Sequence, residues 1–345
     1  MNRGEGSTAC SEIASTLLPC PHVTPHPANI ALEEHFALPD TLGNSEQYFT
    51  ADVWATMKRR LLDIHEERVA EMDRHGIETM LLSLNAPGIQ AMPDVSEAVE
   101  VARRANNYLA EQVARNPRRF QALAALPMQD PEVASEELSR AVKDLRFRGA
   151  LVNGFTQIGN SAAYYDEPHY WPFWETAEKL DVPFYLHPRE PLDNQRRIYE
   201  GHPWFLGSAW AFGAETAMHA LRLMGSGLFD RYPRLKIILG HLGEGLPYNI
   251  WRVDHRISKT PRGIPARKPM AEYLRENFYL TTSGNFRTPT LLDAIAEAGV
   301  DRILFSVDYP FEELAEGVKW FKGAGISEAD RLKIGSTNAE DLFKL

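Results

Sequence analysis

Two residue types that bind metal ions, a carboxylate and an imidazole, stand two positions apart at Glu33 and His35. They follow a short apolar run that starts at Ile30 and is predicted to be a β-strand. Alternate side chains of a strand point to the same face, so Glu33 and His35 would project together while Glu34 would point the opposite way. Such a pair can supply two ligands of a divalent cation. Alone, it also fits a polar surface pair at the end of a strand.

Further apolar runs end in residues of the same kind. His187, His241 and Asp308 each stand at the end of a predicted strand. In a β/α barrel the carboxyl ends of the strands meet on one face, and active-site side chains come from several of them. Imidazole and carboxylate groups that converge there are typical ligands of a divalent cation. The sequence therefore predicts one shared metal site; the alternative interpretation is a set of unrelated structural polar residues.

The elements that would position these residues alternate along the chain. The strand candidates are Ile30–Glu33, Thr79–Leu84, Phe120–Leu126, Gly149–Val152, Val182–His187, Leu235–His241, Phe278–Thr282 and Arg302–Val307. The helical patterns are Val53–His75, Ser96–Asn116, Pro131–Leu145, Tyr170–Leu180, Ala214–Ser226 and Leu291–Ala298. Continuous apolar strands are typical of a parallel sheet that is buried on both faces. Eight such units predict an α/β protein with a (β/α)8 TIM-type barrel. The alternative, a doubly wound open sheet, lacks a Gly-x-Gly-x-x-Gly motif after the first strand.

The chain is predicted to form one catalytic barrel domain over residues 30–345. Residues 1–29 are rich in Ser, Thr, Pro and Gly and show no clear periodicity, so we expect them to form a disordered or extended N-terminal arm. Two connectors exceed the usual length, Pro188–Phe212 and Ile257–Ala271. Long connectors without regular structure are often functional. The first follows the fifth strand and is a candidate substrate lid.

Composition excludes several classes of partner. The 345 residues carry a net charge of −10 and no basic cluster, which argues against nucleic acid or an anionic membrane as a partner. No apolar run approaches the roughly 20 residues that span a bilayer. The sequence has two cysteines, Cys10 and Cys20, which argues against a disulfide scaffold and a cysteine zinc site, and a cytoplasmic location is expected.

Seven sequence strings carry a resemblance to a known family. They are Ala31–Phe36, Leu82–Pro87, Ala150–Phe155, Val182–Arg189, Gly240–Pro247, Thr281–Phe286 and Phe305–Glu312. In these strings the chain resembles the amidohydrolase superfamily, in its branch of non-oxidative aromatic acid decarboxylases. The resemblance extends from Ile30 to Leu345 and implies an amidohydrolase-like barrel. Many hydrolases of the superfamily begin with His-x-His, whereas Glu33 replaces the first histidine here. No lysine stands at a strand end to bridge a second metal, and both departures favour a mononuclear site.

The resemblance also implies roles for individual residues. The four metal ligands would be Glu33, His35, His187 and Asp308. The implied cofactor is one divalent ion, Zn²⁺ or Mn²⁺ in the first place and Mg²⁺ as a further possibility. His241 would lie beside the ion, with Glu244 holding or polarising it. The residues implied in substrate binding are Arg252, Phe212 and Trp210.

The implied reaction is the loss of CO₂ from an ortho-hydroxybenzoate, with Asp308 as the proton donor. Glu33-x-His35 and the string Ser283–Thr288 favour 2,6-dihydroxybenzoate, which would give resorcinol, and the reverse carboxylation of a phenol is implied as well. The alternative is a metal-dependent hydrolase of a lactone or cyclic amide, with His241 or Asp308 as the base. A third hypothesis is a barrel without catalytic activity. Relatives are commonly oligomers, so a homotetramer or a dimer is expected.

Overall fold

The computed structural model describes residues 29–345, without the side chains of Asn44 and Tyr48. The predicted N-terminal arm, apart from its last residue, and both cysteines lie outside the described residues. No helix of the described part is long and apolar enough to cross a membrane.

Eight parallel strands form the barrel, and two short strands form a hairpin beside it. The strands are β1 (Asn29–Phe36), β2 (Ile77–Leu84), β3 (Phe120–Ala122), β4 (Ala150–Asn153), β5 (Thr156–Ile158), β6 (Ser161–Ala163), β7 (Phe184–His187), β8 (Ile237–Leu239), β9 (Phe278–Thr281) and β10 (Ile303–Leu304). Two parallel arcs, β1-β2-β3 and β10-β9-β8-β7-β4, meet at a bridge between Ala124 and Ala150. On the other side the His35 amide donates to the Tyr309 carbonyl at 2.7 Å. The predicted (β/α)8 barrel is confirmed, and β5 pairs with β6 antiparallel outside it.

Helices surround the strands. They are α1 (Ala51–Leu62), α2 (Glu67–His75), α3 (Val95–Arg115), α4 (Pro131–Lys143), α5 (Trp171–Leu180), α6 (Ala211–Gly225), α7 (Leu228–Arg231), α8 (Leu246–Lys259), α9 (Met270–Asn277), α10 (Thr288–Ala298), α11 (Leu314–Gly323), α12 (Glu328–Leu332) and α13 (Asn338–Phe343). The prediction of a single helix over Val53–His75 was wrong. Asp63 ends α1, and its carboxylate accepts hydrogen bonds from the amides of Glu66 and Arg68, so a new helix starts there.

The two long connectors differ in content. The segment Pro188–Phe212 contains three short 3-10 turns, Asp193–Tyr199, Pro203–Phe205 and Gly207–Ala209, before α6 begins at Ala211. The predicted connector Ile257–Ala271 is shorter than expected, because α8 continues to Lys259 and α9 begins at Met270.

A β-bulge in β1 sets the direction of its side chains. Ala31 pairs with Met80 and Glu34 pairs with Leu82, so Leu32 and Glu33 together oppose one residue of β2. Leu32 therefore packs into the apolar barrel floor, and the next residue, Glu33, also reaches the barrel interior. The floor takes side chains from most strands and from α13, namely Ile30, Leu32, Leu81, Leu123, Leu151, Tyr185, Ile238, Leu304, Ala339, Leu342 and Phe343.

Candidate metal centre and active site

Four side chains from three places in the barrel converge above the apolar floor. Glu33 and His35 come from β1, His187 is the last residue of β7, and Asp308 follows β10. One ligand atom from each lies within 4.8 Å of all the others. Glu33, His35 and His187 are buried, and Asp308 is partly exposed. The structure thus brings together the four residues that the resemblance implied as ligands.

The donor set fits a divalent cation. His187 Nε2 lies 3.2 Å from Glu33 Oε1, and His35 Nε2 lies 3.2 Å from Asp308 Oδ1. Within the described residues, Glu33 Oε1, His35 Nε2 and Asp308 Oδ1 are buried and have no hydrogen-bond partner. Buried polar atoms are normally satisfied, because an unpaired one is unfavourable. Two imidazole nitrogens and two carboxylate oxygens that face one point would be satisfied together by an ion such as Zn²⁺ or Mn²⁺.

The second nitrogen of each ligand histidine is held by a neighbouring group. Ser83 Oγ lies 3.2 Å from His35 Nδ1, and the Pro188 carbonyl oxygen lies 3.0 Å from His187 Nδ1. Such contacts orient the ring and present Nε2 to the ion.

Three hydroxyl groups surround the other oxygen of Glu33. The hydroxyls of Tyr185 and Ser283 donate to Oε2, and Thr281 Oγ1 lies 3.2 Å from the same atom. Oε1 is left to face the ion. Burial alone raises the pKa of Glu33, but the nearby imidazoles of His241, His187 and His35 outweigh it and hold the pKa well below its usual value. Glu33 therefore offers a cation an ionised carboxylate with one oxygen fixed by the protein.

Replacing Tyr185 by phenylalanine is expected to weaken Mn²⁺ binding by about 10- to 100-fold, as is typical when a partner of a metal ligand is lost. The Glu33 carboxylate would keep its charge but lose a donor that fixes its orientation. Competition with a chelator of known affinity measures the change. Tyr170→Phe is the matched control, because Tyr170 is also buried and its hydroxyl donates to the Met128 carbonyl. Equal Mn²⁺ affinities for Tyr185→Phe and the wild type would contradict the prediction.

His241 lies beside the ligand cluster on a tight turn. The predicted strand Leu235–His241 in fact ends at Leu239, because the backbone then enters the left-handed region, with φ of 52° at His241 and 55° at Glu244. His241 Nδ1 and Glu244 Oε1 are 2.6 Å apart. His241 Nε2 lies 3.8 Å from Glu33 Oε1 and 3.7 Å from Asp308 Oδ2.

This environment sets the charge of His241. Desolvation lowers the pKa of the imidazole, but the nearby carboxylates of Glu244, Glu33 and Asp308 raise it well above its ordinary value. The raised pKa favours the protonated form of His241, whose Nε2 faces Asp308 Oδ2.

Glu34 is a buried carboxylate. The sequence predicted the direction of its side chain but no role for it. It points away from the cluster, as the alternation predicted, and accepts hydrogen bonds from the segment that carries Asp308. Burial raises its pKa, and the hydrogen bonds from the Val307 and Tyr309 amides and the field of Arg68 act against burial by favouring the ionised carboxylate.

An aromatic side chain that the sequence reasoning missed lies against the cluster. The Phe311 ring is 5.5 Å from the His35 ring and stacks on Phe49 at 6.0 Å. No motif signals this contact, because Phe49 and Phe311 belong to separate connectors. The pair gives one side of the site an apolar wall.

The residues expected to bind substrate lie at different depths. Phe212 is half-buried in the first turn of α6, next to Gly213, where an added Cβ would meet Glu244 Oε2 at 2.9 Å. Trp210 is 64 % exposed, and Arg252 is exposed on α8. Within residues 29–345, neither Trp210 nor Arg252 forms a hydrogen bond or ion pair with the ligand cluster.

Comparison with known proteins identifies relatives of the whole described barrel. The chain is 63% identical over 321 residues to the gamma-resorcylate decarboxylase of Polaromonas sp. (strain JS666), covering 92% of this chain and 98% of that protein. A crystal structure of 2,6-dihydroxybenzoate decarboxylase complexed with 2,6-dihydroxybenzoate has 60% identity and a TM-score of 0.91 over 92% of this chain and 99% of that one.

A second solved structure adds a metal. The Polaromonas dihydroxybenzoic acid decarboxylase, crystallised with manganese and the inhibitor 2-nitroresorcinol, is 61% identical with a TM-score of 0.91 and covers 92% of this chain and 97% of that one. The family model described as Amidohydrolase matches residues 22–345. The chain therefore belongs to the amidohydrolase family.

Proposed function

We propose that the protein is a metal-dependent carboxy-lyase that removes CO₂ from 2,6-dihydroxybenzoate, without oxidation, to give resorcinol. The observation that carries the proposal is the convergence of Glu33, His35, His187 and Asp308 next to His241, in a chain 63% identical to a gamma-resorcylate decarboxylase. The relatives support the choice of substrate, and the residues of the site support the class of reaction. The reaction is reversible in principle, so carboxylation of a phenol would use the same groups.

The difficulty of the reaction lies in the aromatic ring. The bond to the carboxylate lies in the ring plane, so its electron pair cannot enter the π system directly. Protonation makes the carbon that carries the carboxylate tetrahedral, and an ortho hydroxyl supplies the electrons for this step. The C–C bond can then break. CO₂ leaves, and the electron pair of the broken bond restores the aromatic ring. The site must therefore fix the ring and deliver one proton to one carbon.

The protein residues divide these tasks. When bound, the divalent ion would supply Lewis acidity and a template for the carboxylate and the ortho hydroxyl of the substrate. Glu33, His35, His187 and Asp308 would hold it. Asp308 is the one ligand of the four that is partly exposed, so it faces the space that a substrate ring would enter. We assign it as the proton donor.

His241 and Glu244 would restore the proton that Asp308 gives up. His241 carries a raised pKa, and its Nε2 is 3.7 Å from Asp308 Oδ2, while Glu244 fixes Nδ1 at 2.6 Å. Nε2 already faces Asp308, so a proton on it would pass to Asp308 once the two groups approach to hydrogen-bond distance.

The outer part of the site would select the substrate. We propose that Arg252, Phe212 and Trp210 contact the aromatic acid, with Pro188–Phe212 as the lid. The position of Phe212 supports this proposal, because its neighbour Gly213 packs close to Glu244. We further propose that residues 30–345 act as one catalytic domain, in a cytoplasmic homo-oligomer (a tetramer or a dimer).

Incubation of the Mn²⁺-loaded protein with 2,6-dihydroxybenzoate is expected to yield resorcinol and CO₂ in equal amounts, measured by chromatography. 3,5-Dihydroxybenzoate is the matched control, because it carries two hydroxyls but none ortho to the carboxylate. It is expected to remain intact. No resorcinol, together with turnover in a panel of lactones and cyclic amides, would overturn the proposal in favour of the hydrolase.

A further inference from the structure

Glu34 forms a second centre of contacts on the outer face of β1. Its side chain is fully buried. Oε1 accepts from Ser306 Oγ at 3.1 Å and from the Val307 amide at 3.0 Å, and Oε2 accepts from the Tyr309 amide at 2.9 Å. All three partners are donors, so both oxygens act as acceptors. The two amides belong to the residues on either side of Asp308.

Ser306 links the same group to the bulge of β1. Its hydroxyl oxygen accepts from the amides of Leu32 at 3.3 Å and Glu33 at 2.7 Å, the two residues that oppose a single residue of β2. The hydroxyl hydrogen of Ser306 is then available to donate to Glu34 Oε1. The bulge leaves amides without strand partners, and Ser306 satisfies them.

The backbone conformation of Asp308 requires stabilisation by neighbouring residues. Its φ is +82°, in the left-handed region that a residue with a side chain rarely adopts. Glu34 holds the amides before and after it, and the His35 amide donates to the Tyr309 carbonyl at 2.7 Å. The strained residue is thus fixed from both sides by the strand that carries Glu33 and His35, two of the other three candidate ligands.

We propose that Glu34 is a positioning residue for the reaction. Together with Ser306, it holds Asp308 in register with Glu33 and His35. One residue on the outer face of β1 thereby sets the geometry of three ligands. Glu34 touches neither ion nor substrate. This inference goes beyond the proposed function but rests on it for its kinetic test.

Glu34→Gln tests the lock, because the amide group of glutamine cannot accept at both oxygen positions. At full Mn²⁺ occupancy we expect kcat to fall by about 10- to 100-fold while KM stays near the wild-type value. We also expect an altered electron paramagnetic resonance spectrum of bound Mn²⁺, which reports ligand geometry without turnover. Glu137→Gln is the matched control: Glu137 is equally buried, but it bonds to Asn106 and Arg140 on the outer helices.

Ser306→Ala provides a second route if Glu34→Gln does not fold. It removes one of the two donors to Oε1 and is expected to shift the spectrum and kcat in the same direction. If the two residues form one unit, the double variant is expected to lose little more than the worse single variant. The inference is overturned if both single variants give the wild-type spectrum and the kcat of Glu137→Gln. Absence of resorcinol from the wild type would instead reject the proposed function, and the spectra would still decide the role of Glu34.

Discussion

Asp308→Asn is expected to lower the rate of 2,6-dihydroxybenzoate decarboxylation by about 10²- to 10⁴-fold, the range that general acid catalysis contributes. Asparagine keeps the size of the side chain and an oxygen that can face the ion, but it has no proton to deliver. In the variant, the buried oxygen at the Oδ1 position would still lie next to His35. The partly exposed part of the side chain would no longer carry an acidic proton. Single-turnover measurements of resorcinol formation would isolate the chemical step.

The metal content of the variant must be measured together with its rate. A lower rate at full Mn²⁺ occupancy assigns the loss to proton delivery, whereas a rate that recovers with added Mn²⁺ assigns it to metal binding. Asp301→Asn is a suitable control, since Asp301 is an exposed carboxylate whose ion pair with Lys333 lies at the protein surface. Wild-type turnover by metal-loaded Asp308→Asn would rule out Asp308 as the proton donor.

Removal of the metal by a chelator is expected to reduce turnover by at least about a thousandfold, since a bound ion supplies several kcal/mol of charge stabilisation. We also expect a lower melting temperature, because an ion that binds the folded state alone stabilises it. Without the ion, the negative charges of Glu33 and Asp308 would be only partly compensated within the cluster.

Add-back of single metals would identify the cofactor. Mn²⁺ and Zn²⁺ are expected to restore resorcinol formation better than Mg²⁺, because two of the four ligands are imidazoles and Mg²⁺ prefers oxygen. His187→Ala should resist restoration at the same concentrations. Full activity of a chelated protein with metal content near zero would contradict a role for the ion.

The sequence indicated five candidate metal-binding residues because each stands at the end of an apolar run, and the resemblance then implied that all but His241 are ligands. Glu33, His35 and His187 could be assigned to strand ends from periodicity, and the barrel then placed those ends on one face. Asp308 was identified by the same reasoning although β10 stops at Leu304, because the chain continues along the barrel after the last strand bond.

The groups that support the ligands were not predictable in the same way. Tyr185 lies in the apolar floor, and its hydroxyl meets Glu33 across 152 positions of the chain. Ser306 and Glu34 interact across 272 positions, and nothing in the local pattern marks them as partners. The break at Asp63 was missed for a different reason: its capping carboxylate lies within an otherwise continuous amphipathic pattern.

The extra residue in β1 puts the two halves of that strand out of phase with each other. Before the bulge, the even-numbered side chains Ile30 and Leu32 point into the barrel. After it, the odd-numbered side chains Glu33 and His35 point into the barrel. Shortening the strand by one residue between these halves would turn either the floor or the ligands outward. Transplanting the Glu-x-His pair into another barrel would therefore require the irregularity beneath it as well as the pair.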